Sequence, residues 1–102
     1  MELKEYSVSI SEDAIAMLDR HARFLANVSQ AAARKTVDEI LNAIESLSAL
    51  PERFPFYENP FIPDNTYRRM LSAKRYLVIF EILGDAVFVD YILDCRQENK
   101  EF

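Results

Sequence analysis

Residues 67–96 read YRRMLSAKRYLVIFEILGDAVFVDYILDCR. The density of Val, Ile, Phe and Tyr suits a pleated, half-buried surface. The pattern divides into three antiparallel strands, over about Tyr67–Leu71, Arg75–Leu83 and Ala86–Cys95. Gly84 is the sole glycine among 102 residues, and glycine at the first central position fits a two-residue II′ hairpin turn at Gly84-Asp85. Strict alternation puts Tyr76, Val78, Phe80 and Ile82 on one side of the middle strand, with Leu77, Ile79 and Glu81 on the other. On the last strand, alternation sets Val87, Val89, Tyr91 and Leu93 against Phe88, Asp90, Ile92 and Asp94. The apolar sides require a cover.

Upstream residues supply one. Leu3–Ile10 alternates, with Tyr6, Val8 and Ile10 facing inward as a first strand. Ser11 then reads as an N-cap, with Glu12 and Asp13 in the first turn and Ile10 and Ile15 placed as a hydrophobic staple. A helix follows to about Asn27, its stripe made of Ile15, Leu18, Ala22 and Leu25 and widened by Met17, Phe24 and Val28. His21 borders that stripe as a surface or core-edge residue. Ser29 caps a second helix reaching about Leu50, with Val37, Ile40, Leu41, Ile44 and Leu47 as its buried stripe. Pro51 ends it by disfavouring a helical Leu50.

Residues 51–65 hold all four prolines together with Phe54, Phe56, Tyr57 and Phe61. Two readings stand for this strap. Its aromatics plug the edge of the core, or part of the set is left for a partner. The fold expected is α+β: an N-terminal strand and an antiparallel two-helix hairpin packed on one face of a small antiparallel sheet, in the order β-α-α-β-β-β. The first strand joins the sheet edge, and the face away from the helices is expected to meet solvent or a partner. One domain spans residues 1–102.

Composition excludes several classes. The net charge of −5 argues against general affinity for nucleic acid. Residues 1–65 carry that whole charge, while residues 66–102 are balanced. One cysteine and one histidine cannot build a conventional zinc site or a disulfide framework. The expectations are therefore no metal and no cofactor, a packed Cys95, no secretory signal, no membrane span and a cytoplasmic setting.

The chain resembles the RelE/ParE superfamily of type II toxin–antitoxin toxins. The residues that carry the resemblance are Leu50-Pro51-Glu52-Arg53-Phe54-Pro55, Tyr67-Arg68-Arg69-Met70-Leu71, Arg75-Tyr76-Leu77-Val78-Ile79-Phe80-Glu81-Ile82 and Val89-Asp90-Tyr91-Ile92-Leu93-Asp94-Cys95-Arg96-Gln97. The resemblance implies a toxin neutralised by a cognate antitoxin, as a hetero-oligomer. It also implies one of two targets. The ParE branch, associated with plasmid stabilisation, inhibits DNA gyrase by binding it. The RelE branch cleaves messenger RNA in the ribosome, using basic groups on the scissile phosphate and a proton donor or acceptor.

By position, Arg68 and Arg96 match basic residues of the RelE pattern. Met70, Leu77 and Phe102 stand where that pattern has a second basic residue, a phosphate-binding arginine and a C-terminal tyrosine. With those three roles lost, the sequence favours the ParE-like, non-enzymatic reading. The alternatives are a RelE-like nuclease using Arg68 and Arg96, or a decayed toxin that only holds its antitoxin. Arg69, Lys74, Arg75 and Tyr76 form a candidate basic rim, whose charges are otherwise solvated strand ends. Phe54, Phe56, Tyr57 and Phe61 are the antitoxin-contact candidates.

Overall fold

A computed structural model describes residues 4–96. The elements run β1 (Ser7–Ile10), α1 (Glu12–Ala26), α2 (Gln30–Glu45), β2 (Arg68–Ser72), β3 (Tyr76–Leu83) and β4 (Ala86–Asp94). Single 3-10 turns at Ser46–Ser48 and Pro51–Arg53 lead out of α2. Both caps form as the sequence indicates. The Ser11 side chain accepts from the Ala14 N–H at 3.0 Å, and that of Ser29 accepts from the Ala32 N–H at 3.1 Å. α2 ends at Glu45, short of the expected Leu50, and Leu50 takes a left-handed conformation (φ 51°) before Pro51, where a helical one is disfavoured.

The sheet order is β1-β4-β3-β2. β2–β3 and β3–β4 are antiparallel, whereas β1 lies parallel to β4. The α+β order holds, and the sheet is mixed rather than antiparallel throughout. β1 and β4 are joined through the helix hairpin and the two intervening strands, the long kind of connection that a parallel pair requires. Gly84 has φ +63° and no residue near its Cβ position. Its backbone conformation, not crowding, is what calls for glycine in the β3–β4 turn.

Alternation fails at one point on β4. Ile79 pairs with Tyr91 and Phe80 with Val89, so Asp90 is a bulge residue with no counterpart. Beyond it the faces exchange. Ile92 joins Val87 and Val89 under the helices, while Tyr91 and Leu93 turn to the other face. This corrects the expected grouping of Tyr91 and Leu93 with Val87 and Val89.

The helix-side core joins Leu18, Ile40, Ile44 and Leu47 to Met70, Tyr76, Val78, Phe80, Val87, Val89 and Ile92. Ile15, Phe24 and Val28 lie outside it, exposed at 52%, 57% and 86%; Ala14, Leu18 and His21 are the buried residues of α1 instead. The stripe is rotated because α1 rests its small Ala14 against the sheet, which lets the helix approach closely. Cys95 is exposed rather than packed, because it lies past the end of β4, in the turn after Asp94.

The second face is covered as well. Leu77, Ile79 and Leu93 form a smaller core with Tyr57, packed against Ile62, Tyr67 and Tyr91. The strap therefore closes much of the face expected to lie open. Leu71, Leu83 and Phe88 remain exposed on it.

Candidate functional site

The strap is fixed by backbone and by one arginine. Phe56 bridges Arg68 as an added piece of sheet edge. Tyr57 N–H donates to the Tyr67 carbonyl at 2.7 Å, and Arg69 N–H to the Pro55 carbonyl at 3.0 Å. The Arg68 guanidinium donates to the carbonyls of Phe54 (2.7 Å) and Glu52 (3.2 Å) and lies 4.1 Å from the centre of the Phe56 ring. Those two bonds take up the Nη1 donors and tie the guanidinium to the strap. Beside it, the Tyr6 hydroxyl donates to the Glu52 carboxylate. That bond holds the Glu52 carboxyl below the ordinary carboxylate value and pushes the Tyr6 phenol up.

The four strap aromatics divide. Tyr57 is buried and Phe54 is half-buried, its ring edge-on to Phe80 with centroids 6.0 Å apart. Phe56 is 38% exposed and Phe61 75% exposed. Tyr57 and Phe54 thus plug the core edge, while Phe56 and Phe61 are left exposed.

The basic rim divides too. Arg69 and Lys74 are exposed. Lys74 and Ala73 both have positive φ (69° and 49°) at the tip between β2 and β3. Arg75 binds Asp94 at 2.6 Å, with side chains 29% and 4% exposed respectively. Tyr76 is 1% exposed and belongs to the core, not to a contact rim. Arg96 reaches Asp94 at 3.6 Å, and its backbone N–H donates to the same carboxylate at 3.0 Å. Burial pushes the Asp94 carboxyl up, but the two arginines and the backbone N–H outweigh it and hold it below its usual value.

Arg68 and Arg96 are not brought together. Arg68 is paired with Phe80 on β3, while Asp94, two residues before Arg96, is level with Tyr76. Four residues of strand separate those levels, about 13 Å at the usual rise. Met70 and Leu77 are buried. Phe102, matched by position to a C-terminal tyrosine, lies outside the described residues. The open recess of the strap face is lined by Phe56, Tyr57, Glu58, Arg69 and Leu77, one cation against one carboxylate.

Two features escaped sequence reading. On the strap face, the Tyr67 phenol is pushed up by burial and by its hydrogen bond to Asp90, and Glu81 is pushed up by burial and by the Asp90 charge. The bulge that places Asp90 there has no sequence signature. On the outer side of the helices, Ala22, Ala26, Ala33 and Val37 floor a groove of about 340 Å³ flanked by Arg23, Arg34 and Asp38. The small residues between the two helix stripes were its available signal. Among the described residues, no cluster of His, Cys, Asp or Glu could hold a metal and no helix is long and apolar enough to cross a membrane.

A hairpin of helices on a mixed sheet, with Arg68 and Arg75 engaged by the fold and Arg69 facing solvent, defines a small α+β domain. The chain belongs to the family described as "ParE toxin of type II toxin-antitoxin system, parDE", whose profile matches residues 8–99. It is thus a toxin component of a type II toxin–antitoxin module. Among solved structures it is similar to "Chromosomal ParDE TA system from P. aeruginosa", at 16% identity and a TM-score of 0.72, over 89% of this chain and 97% of that one. No curated protein matches it significantly.

Proposed function

We propose that the protein is a ParE-like toxin that inhibits DNA gyrase by binding it in the cytoplasm and is neutralised by a cognate antitoxin in a hetero-oligomer, as in plasmid stabilisation. One observation carries the choice of binding over catalysis. Arg68 and Arg96 are held at levels about four strand residues apart, each engaged by the protein's own oxygens. In-line phosphate cleavage needs donors converging on one phosphate. The contact residues are then the exposed Arg69 and Lys74 towards gyrase. The α1–α2 groove takes an amphipathic antitoxin helix, whose apolar face matches the alanine floor, and Phe61 and Phe56 on the strap face take another segment of the same antitoxin.

The test is a supercoiling assay with purified gyrase and this protein, run beside primer extension on messages from a translating extract. Inhibited supercoiling with intact messages is the expected result. Unchanged supercoiling at saturating protein, with A-site cuts that Arg96→Ala abolishes, would overturn the proposal in favour of the nuclease. If neither target responds and expression without antitoxin is harmless, the protein is an antitoxin-binding module only.

A further inference from the structure

A small enclosed cleft lies on the helix side, between α1 and the adjoining ends of β3 and β4. Its volume is about 100 Å³, and Arg20, His21, Phe24, Arg75, Tyr76 and Asp94 line it. Most of its polar groups have partners. His21 Nε2 lies 2.8 Å from the Ile92 carbonyl oxygen, so that nitrogen carries a proton. The His21 ring is tilted against Tyr76, with centroids 5.0 Å apart. Asp94 is held by Arg75 Nη2 and by the Arg96 N–H. Two buried groups are left over. The Tyr76 hydroxyl and Arg75 Nε have no hydrogen-bond partner among the described residues.

Buried donors without acceptors are rare, and a cleft lined by two consecutive residues that each carry one asks for an acceptor. Burial pushes the Tyr76 phenol up from its ordinary value, so it stays a donor at neutral pH. Phe24 and the Tyr76 ring supply an apolar wall.

We infer that this cleft binds a carboxylate, held between the Tyr76 hydroxyl and the Arg75 guanidinium, with its carbon chain against Phe24. A carboxylate presents acceptors only and matches a guanidinium edge in plane. A phosphate would require more donors than the two left over and has no apolar part for the wall. The same chemistry comes from a small free acid or from an acidic side chain of a bound polypeptide.

The experiment follows wild-type amide and aromatic NMR shifts during titration with sodium acetate, with sodium chloride at equal ionic strength as control. A parallel titration uses the blocked tripeptide acetyl-Gly-Glu-Gly-amide. Saturable shifts at Tyr76, Arg75 and Phe24 are expected with at least one carboxylate and not with chloride. Tighter acetate binding assigns the cleft to free acids, and tighter tripeptide binding assigns it to a protein partner.

Tyr76→Phe keeps the ring against His21 and should weaken binding about 10- to 100-fold, the value of one hydrogen bond to a charged group. Arg75→Lys, which keeps a cation for Asp94 but removes Nε, is the second variant should the first not fold. Two results overturn the inference: carboxylates that act no differently from chloride, or variants that bind as wild type does. An empty cleft has its own signature. Removing a never-satisfied hydroxyl would then raise the melting temperature by about 4–8 °C whether or not acetate is present.

Discussion

On one face of the sheet, Val78, Phe80, Val87, Val89 and Ile92 lie under two helices; on the other, Leu77, Ile79 and Leu93 lie under Tyr57 and the strap that carries it. The first cover is periodic and continuous. The second is irregular chain held by a few backbone bonds and by Arg68. The helix face therefore carries the cooperative core, and the strap face is a separately removable layer, from which partner-binding segments are commonly drawn.

The strongest break of this contrast is Phe80→Ala. Phe80 is fully buried beneath the helices and meets Phe54 edge-on. Removing its ring should cost about 3–5 kcal/mol, a large part of the stability of a domain this size. Urea unfolding followed by far-UV circular dichroism should show one cooperative transition at a much lower midpoint. A small change would mean that the helix face is not the dominant core.

Asp94→Asn comes next, at about 2 kcal/mol: the pair is buried at the carboxylate, but Arg75 is partly re-solvated once released. The pH dependence identifies the cause. The Asp94 carboxyl is held below its ordinary value in the folded protein. Its stabilising contribution is thus fully present above the unfolded carboxylate value, about 4, and is lost as pH falls through the lower folded value. Urea midpoints of wild type and Asp94→Asn should differ at pH 7 and converge in strong acid. A constant gap at every pH would point to packing instead.

The contrast between the faces also explains what could be read from sequence. Residues 10–47 announce the helix hairpin because capping serines and apolar spacing are local properties, and the Gly84 turn is equally local. The parallel pairing of β1 with β4 depends on where the hairpin returns the chain, which no residue in β1 records. The Asp90 bulge reverses the faces of Tyr91, Ile92 and Leu93, although the run alternates without a break. At the candidate site, Arg68 reads as a free cation because guanidinium groups at strand starts are usually solvated. Its two carbonyl partners lie 14 and 16 residues away in irregular chain. The exposure of Phe61 against the burial of Tyr57 is set by the same irregular path.

Arg68→Ala attacks the strap layer alone. It removes two hydrogen bonds to carbonyls and the contact with Phe56, together about 1–2 kcal/mol. Amide exchange should speed up at Tyr57 and Arg69, whose N–H groups tie strap to sheet, with little change in α1 and α2. Arg68→Lys should restore protection only in part, because one ammonium can donate to both carbonyls but presents no guanidinium plane to the Phe56 ring. Equal acceleration in the helices would show that the two layers open together.

The smallest effect is expected at the tip between β2 and β3, and it has the opposite sign. Ala73 and Lys74 both adopt left-handed backbone without being glycine or asparagine, at roughly 1 kcal/mol each. Lys74→Gly relieves one of these but adds freedom to the unfolded chain, so the net gain should be about 0.5 kcal/mol. Strain of this kind persists where a side chain is needed in that place, and Lys74 is one of the two exposed cations of the rim. Thermal melts should therefore show Lys74→Gly slightly more stable than wild type, while gyrase inhibition by the variant weakens. A second variant, Lys74→Asn, tolerates the same backbone without the charge and should match the glycine variant in both respects. If either variant inhibits gyrase as wild type does, the ammonium is a solvated charge at a strained turn, and the contact surface must be sought at Arg69 and along the strap.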